Sequence, residues 1–163
     1  MFHLVFAVLL GLSLRAHGAV ILQYHHVSES LPAVTSVSSE TFTEHMQYLK
    51  DNNFNVIPLD ELITSLQAGQ PLTDKTVAIT FDDGYKNNYE EAAPILEKFG
   101  YPYTIFVNPE LIDEGKSYVM TWQQLKELSN KGALISNHTQ VHNYLHRKQS
   151  GESEESWLAR TKK

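Results

Sequence analysis

Five short apolar runs, most of them rich in β-branched or aromatic residues, alternate along this chain with segments of helical periodicity. Such runs are typical of buried strands, and the segments between them place their apolar residues on one helical face. Strands that alternate with helices form parallel sheets joined by right-handed crossovers. The sequence therefore predicts an α/β fold, either a (β/α) barrel or an open doubly wound sheet. The predicted strands are residues 20–24, 54–57, 76–81, 103–107 and 133–136, and the predicted helices are residues 41–52, 60–66, 88–99 and 122–130.

Local signals set the expected ends of these helices. Thr41 and Glu44 have the T-x-x-E spacing of a capping box, and Asp60 is the expected cap of the second helix. Gly100 is expected to stop the third helix, because glycine adopts the left-handed conformation of a helix end without strain. Pro94 lies inside that predicted helix, where it is tolerated only near the first turns.

The length, net charge and cysteine content exclude several classes of function and of metal site. The length of 163 residues is sufficient for one domain with a core. A formal net charge of −6, without a basic stripe, argues against a nucleic-acid partner held by phosphate contacts. The chain has no cysteine, so disulfides and thiolate metal sites are excluded, and any metal must be held by His, Asp or Glu.

The N-terminus differs in composition from the rest of the chain. Residues 4–14 are almost wholly apolar, a run too short for a spanning helix but suited to the core of a secretory signal peptide. A first core element is the alternative. We expect residues 1–18 to be a signal peptide, residues 19–163 to be one domain, and the protein to have no stable membrane span. An exported protein without cysteines fits a bacterial periplasm or cell surface.

Three polar clusters follow predicted strands, and ligands of parallel α/β folds bind at the carboxyl ends of strands. The first cluster is His25-His26, after the first strand, and the second is Asp82-Asp83-Gly84, after the third. The third is N-H-T-Q-V-H, residues 137–142, after the fifth strand. Because these strand ends are expected to share one edge of the sheet, the clusters are candidates for a single site.

The third cluster contains two histidines with metal-ligand spacing. His138 and His142 are four residues apart, which on a helical turn places both imidazoles on one face. A carboxylate would complete a three-ligand set with open positions for water. The alternative is a pair of surface histidines in a polar loop, since this spacing recurs by chance.

The adjacent aspartates suit a site with two tasks. Side chains alternate within a strand, but the rule relaxes at a strand end, and Gly84 permits a sharp turn there. One carboxylate would bind the metal and the other would act as a base, although the residues alone do not say which. An N-cap role explains one aspartate but not two. His25 or His26 is expected to line the same pocket.

These motifs together resemble the polysaccharide deacetylases of the NodB-homology type, carbohydrate esterase family 4. The stretch T-F-D-D-G, residues 80–84, is similar to the first motif of the family, and H-T-x-x-H, residues 138–142, is similar to the second. Asp82 and His138 are 56 residues apart, which fits the family's order and spacing. The resemblance covers residues 20–163.

The resemblance implies a metal-dependent hydrolysis of N-acetyl groups on an N-acetylglucosamine-containing polysaccharide. By similarity, Asp82 is the general base, while Asp83, His138 and His142 hold a divalent metal, most often Zn²⁺. The implied fold is a distorted (β/α)7 barrel. Removal of O-acetyl groups from acetylated xylan and non-catalytic carbohydrate or metal binding remain alternatives.

The sequence departs from the family pattern in two respects. Tyr85 follows T-F-D-D-G, where many members have proline, and this variant resembles the deacetylases of poly-β-1,6-N-acetylglucosamine; Tyr85 is thus a further pocket candidate. The later motifs R-x-P-[FY], D-x-x-D-W and L-x-x-H, which carry the general acid, are absent. We therefore expect an N-terminal part of the barrel, incomplete at its C-terminus and inactive or unstable alone.

Overall fold

The computed structural model describes residues 18–142 and 147–161, and its central element is the strand β5, Thr76–Phe81. All six residues of β5 are buried. β1, Ala19–Tyr24, pairs in parallel with β5 along its whole length. The other edge of β5 is shared by β4, Asn55–Val56, at its start and by β6, Thr104–Val107, at its end. β7, Leu134–Asn137, continues the sheet beyond β6.

Every pairing in this five-stranded sheet is parallel, so the predicted α/β fold with a parallel sheet is confirmed. Within the described residues, no pairing joins β1 to β7, and closure of the sheet into a seven-stranded barrel stays a prediction. β2, His26–Val27, and β3, Ser36–Val37, form a separate parallel pair that the sequence analysis did not predict.

The helices connect the strands in the predicted order. Two of them have the expected bounds to within two residues, namely α1, Ser39–Asp51, and α2, Leu59–Gln67. α5 is Trp122–Asn130, as predicted. A short helix after β6, α4, Pro109–Asp113, was not predicted, and α6, Glu154–Thr161, is the last described element.

The third predicted helix is divided into two parts. A π-helical turn, Asn88–Ala92, leads directly into α3, Ala93–Phe99, and Pro94 lies in the first turn of α3. Proline has no N–H to donate to the preceding turn, so the regular hydrogen-bond ladder is interrupted there. Gly100 ends α3 in the left-handed conformation, as predicted, with φ +67°.

The predicted caps of α1 and α2 are wrong. Ser38 is the N-cap of α1, and its hydroxyl accepts a hydrogen bond from the Thr41 amide at 2.9 Å. Thr41 therefore lies inside the first turn of α1 rather than at its cap. α2 begins after Pro58, without a side-chain cap, and Asp60 only accepts a hydrogen bond from the neighbouring amide of Glu61.

β5 divides the core between its two faces. Its residues Val77, Ile79 and Phe81 belong to the larger cluster, which α1, α3 and α5 complete with Phe42, Met46, Leu49, Leu96, Leu125 and Leu128. Ala78, on the opposite face, packs in a smaller cluster with residues of α2. Thr80 and Asp82 continue this second face toward the carboxyl end of the sheet. The larger cluster fixes β5, and β5 fixes the position of the aspartates that follow it.

The predicted leader, residues 1–18, lies outside the described residues apart from Gly18. Among the described residues, no helix has both the length and the apolar composition that a membrane crossing requires.

Truncation of Phe42 tests the larger cluster. Phe42 is fully buried, and its ring contacts Tyr24 edge-on with a centroid distance of 5.0 Å. We expect Phe42→Ala to lower the free energy of unfolding by about 3–5 kcal/mol, measured by chemical denaturation, because it leaves a cavity. Tyr48→Ala is the matched control, since Tyr48 lies on the same helix with 61% of its surface exposed. Equal losses from both variants would contradict this description of the core.

Candidate metal centre

Three predicted ligands meet at the carboxyl end of the sheet. Oδ1 of Asp83 lies 3.4 Å from Nε2 of His138 and 3.3 Å from Nε2 of His142. One donor atom from each residue lies within 4.8 Å of the other two. The two turns that carry these ligands follow β5 and β7, which are separated by β6 in the sheet. A carboxylate oxygen and two imidazole nitrogens form a donor set that binds Zn²⁺ and leaves open positions.

The Asp83 carboxylate is poised for a further partner. Its Oδ1 atom is buried and accepts no hydrogen bond from any described residue. A buried carboxylate oxygen without a partner is unfavourable, because it has lost its hydration. The two imidazole nitrogens beside it are donors of a type that binds metal ions, so a cation bound among the three atoms would satisfy the oxygen.

Tyr85 lies two residues beyond Asp83, and its phenol is in the electrostatic field of that carboxylate. Burial raises the pKa of Tyr85 to about 12, and the negative charge of Asp83 acts in the same direction. Tyr85 therefore remains a neutral phenol at physiological pH.

Left-handed backbone at two successive residues directs Asp83 away from the strand. Asp83 has φ +68° and Gly84 has φ +63°. A Cβ atom at Gly84 would lie 2.9 Å from Cγ1 of Val107, at the end of β6. Glycine is thus required both by the backbone conformation and by the close approach to β6. This geometry agrees with the predicted sharp turn.

Asp82 occupies a different environment from Asp83. Its amide donates to the Tyr24 carbonyl at 3.0 Å, which extends the β1–β5 ladder by one residue. Its Oδ2 atom accepts a hydrogen bond from the Gln23 side chain and lies 3.9 Å from Nε2 of His25. A cavity of about 420 Å³ opens in front of Asp82 and is also lined by Gln23 and His138. The two aspartates therefore flank His138 in one site, and neither is the N-cap of the following π-helical turn, which is Asn87.

His25 and His26 lie in different surroundings. The sequence did not decide which of the two lines the pocket. His25 lies beside Asp82, as described above. The His26 ring stacks on Tyr85, with the ring centroids 3.7 Å apart, and its Nδ1 atom lies 3.0 Å from Nδ2 of Asn87. Burial lowers the pKa of His26, so this imidazole is held neutral. His26 and Tyr85 line a cleft of about 870 Å³ that includes Tyr118 and Lys86.

Two polar residues of this region were missed by the sequence analysis. Gln23 is a polar residue inside an otherwise apolar strand, and strand alternation would have placed it on one face with Ile21 and His25. Asn108 follows β6, and its side chain donates to the backbone of the second histidine motif. No sequence signal separates Asn108 from an ordinary helix cap, because asparagine before proline is typical of helix starts.

Residues 69–163 match the family model described as polysaccharide deacetylase. The match covers more than half of the chain, and it includes the aspartate pair and both histidines of the cluster. The chain therefore belongs to the polysaccharide deacetylase family.

Individual relatives agree with this assignment. The protein YxkH of Bacillus subtilis (strain 168), named as a polysaccharide deacetylase, is 36% identical over 122 residues, which are 75% of this chain and 42% of that protein. The poly-β-1,6-N-acetyl-D-glucosamine N-deacetylase of Escherichia coli (strain K12) is 26% identical over 141 residues, which cover 76% of this chain and 21% of that enzyme. The chain thus spans less than half the length of these curated relatives.

Among solved structures, the Streptococcus pyogenes deacetylase PplD in complex with acetate has a TM-score of 0.73 and 28% sequence identity. The superposition covers 82% of this chain and 61% of PplD. The α/β architecture with a parallel sheet is therefore the architecture of a known deacetylase.

Substitution of Gly84 tests the close approach of the aspartate turn to β6. We expect Gly84→Ala to lower the free energy of unfolding by roughly 1–3 kcal/mol more than Gly69→Ala, as measured by chemical denaturation. Gly69 has nearly the same φ, +62°, but its Cβ position has no atom within 4 Å, so it isolates the backbone penalty. Equal losses would show that Val107 does not restrict the turn.

Proposed function

We propose that this protein is a metal-dependent hydrolase that removes N-acetyl groups from an N-acetylglucosamine-containing polysaccharide. The observation that carries the proposal is the cluster formed by Asp83, His138 and His142. A second carboxylate, that of Asp82, lies in the same site but is not a member of this cluster. Membership of the polysaccharide deacetylase family supports the reaction class. The name of the Escherichia coli relative supports a poly-β-1,6-linked substrate.

In this proposal Asp83, His138 and His142 hold the metal, and the donor set favours Zn²⁺. The buried Oδ1 atom of Asp83, which accepts no hydrogen bond from the described residues, fits a cation at this position. When bound, the metal supplies Lewis acidity toward water and toward an acetyl carbonyl. The chain contributes the rigidity of the site, because the turn of Asp83 and Gly84 lies closely against Val107.

Asp82 is the general base of the proposal. Its carboxylate faces the cavity that His138 also lines, next to the metal ligands but not among them. The Gln23 amide donates to Oδ2 and fixes the orientation of the carboxylate, which leaves Oδ1 to accept a proton from water. The two adjacent aspartates then have separate roles. Asp82 continues the β1–β5 hydrogen-bond ladder, whereas the left-handed backbone of Asp83 turns away from it.

The leaving nitrogen needs a proton when the C–N bond breaks, and His25 is the described residue placed to supply it. Its Nε2 atom lies 3.9 Å from Asp82, and 37% of its side chain is exposed, so a substrate has access to it. A base and an acid that follow the neighbouring strands β5 and β1 thereby lie close to each other. The resemblance to the family implies an acid on later motifs, and the turn after β1 offers an alternative position. His26 and Tyr85 are proposed to line the sugar-binding cleft.

The proposed substrate is an extracellular polymer, and the apolar run of residues 4–14 supports export of the protein to a bacterial periplasm or cell surface. Cleavage of a leader after Gly18 remains part of this proposal. N-terminal sequencing of the protein recovered from the periplasm or from the cell surface would test it.

Removal of the proposed base is expected to separate catalysis from metal binding. Asp82→Asn should reduce release of acetate from N-acetylglucosamine oligomers by roughly 10²–10⁴-fold, because proton transfer to the carboxylate is lost. Its zinc content, measured by atomic absorption, should equal that of the wild type. Asp60→Asn, on α2, is the control and should keep full activity.

Undiminished acetate release by the Asp82 variant would exclude Asp82 as the base. Parallel assays of the full-length protein with acetylxylan identify the substrate class. Faster hydrolysis of acetylxylan would favour an O-deacetylase, and no hydrolysis of either substrate despite zinc binding would favour a binding module.

The effect of zinc on the thermal stability of the protein tests whether the cluster binds the metal. A saturating metal that binds only the folded state stabilises it, by about 2.7 kcal/mol at a concentration one hundred times the Kd. We expect zinc to raise the Tm of the wild type and a chelator to reverse the rise. The double variant His138→Ala with His142→Ala should lose the effect, whereas His45→Ala should retain it, because His45 bonds to Tyr24 away from the cluster. A zinc-dependent rise in the double variant would place the metal elsewhere.

A further inference from the structure

Asn108 follows β6 directly and occupies the N-cap position of α4. Asparagine before proline commonly caps such a helix through its side-chain oxygen. Here the side chain makes no cap hydrogen bond with α4. It is almost fully buried, with 1% of its surface exposed, and it points instead to the turn that follows the neighbouring strand β7.

The Asn108 amide group donates to two successive carbonyls of that turn. Nδ2 lies 2.5 Å from the His138 carbonyl oxygen and 3.1 Å from the Thr139 carbonyl oxygen. Both partners are acceptors, so the nitrogen rather than the oxygen of the side chain must face them. Its Oδ1 atom has no hydrogen-bond partner among the described residues. Both N–H groups of a buried side chain are thus directed at the histidine motif.

The turn that Asn108 holds has an unfavourable backbone conformation. Thr139 has φ +66°, in the left-handed region that β-branched residues avoid, and His142 also has a positive φ, +52°. The Asn137 side chain accepts from the Thr139 amide at 2.6 Å, and the His138 amide donates to the Val107 carbonyl at 2.8 Å. Such strain persists only where surrounding contacts impose it. Two contacts at the end of β6 impose it: the Val107 carbonyl accepts from the His138 amide, and the Asn108 side chain donates to the turn.

We propose that Asn108 is a positioning residue of the metal centre, which holds the His138–Thr139 turn so that both imidazoles reach the Asp83 carboxylate. The inference rests on the proposed metal site. The hydrogen bonds of the Asn108 side chain go to the carbonyls of His138 and Thr139, so it acts through the backbone that carries the His138 imidazole. Residues that orient metal ligands typically change metal affinity by roughly 10–100-fold when they are replaced.

Asn88 provides a matched control. It is also 1% exposed, its Nδ2 atom donates to a backbone carbonyl, that of His25, at 3.1 Å, and its Oδ1 atom also has no partner among the described residues. Replacement of either asparagine removes a buried amide donor from a carbonyl after a strand. Only Asn108 donates to the motif that carries the two imidazoles.

The test compares Asn108→Ala and the isosteric Asn108→Asp with Asn88→Ala and Asn88→Asp in the full-length protein. Zinc affinity is measured by competition with a chromophoric chelator. We expect the Asn108 variants to bind zinc roughly 10–100-fold more weakly than the wild type, and the Asn88 variants to bind like the wild type. The d–d absorption spectrum of the Co²⁺-loaded protein should change in the Asn108 variants alone, since it reports ligand geometry rather than stability. Asn108→Asp keeps the volume of the side chain, so the test remains available if the alanine variant does not fold.

A readout without metal completes the test. Amide hydrogen exchange at His138 should accelerate in the Asn108 variants of the apo-protein and remain protected in the Asn88 variants. If the wild type binds zinc and the Asn108 variants keep its affinity and its Co²⁺ spectrum, the positioning role is wrong while the proposed function stands. If the wild type binds no zinc, both the proposed function and this inference fail.

Discussion

The end of β6 is the constraint on which the candidate site depends. Val107 lies between the two turns that carry the candidate ligands. Its side chain lies against Gly84, and its carbonyl accepts a hydrogen bond from the His138 amide. Asn108 adds two hydrogen bonds to the histidine turn. The chain thus brings Asp83 and His138, which are far apart in sequence, to one place by fixing both turns to the same strand end. The buried core behind β5 and β6 makes that strand end rigid.

Strain at the site is consistent with this arrangement. Asp83, Thr139 and His142 have left-handed backbone conformations that are uncommon outside glycine, and all three lie in the turns that carry the candidate ligands. The buried Oδ1 atom of Asp83 has no hydrogen-bond partner among the described residues, which adds a polar penalty. A cation at the centre would relieve part of this penalty, which couples metal binding to the stability of the turns.

Much of this fold was predictable because its signals are local. The apolar runs predicted all five strands of the main sheet, and Thr76–Phe81 has the predicted bounds. Gly100 ended its helix as expected, since only the local backbone decides that conformation. The cap of α1 was wrong because Ser38 and Thr41 offer equivalent hydroxyls, and tertiary packing decides between them. The short pair of β2 and β3 has too few residues to leave a periodic pattern.

The candidate site also has features that the sequence predicts and features that depend on contacts between distant residues. Asp83, His138 and His142 were brought together as predicted, because parallel strand ends share one edge of the sheet. The separation of His25 from His26 was not predictable, since it depends on Tyr85 and Asp82, which lie elsewhere in the chain. The position of Asn108 was also hidden, because its partners are backbone carbonyls that carry no residue-specific signal.

X-ray absorption spectroscopy at the zinc edge of the full-length, zinc-loaded protein tests the central claim most directly. The account predicts one zinc per chain, with two imidazole nitrogens at roughly 2.0–2.1 Å and a carboxylate oxygen at about 2.0–2.2 Å in the first shell. A first shell with one imidazole or none would contradict it, because the metal would then lie outside the cluster of Asp83, His138 and His142.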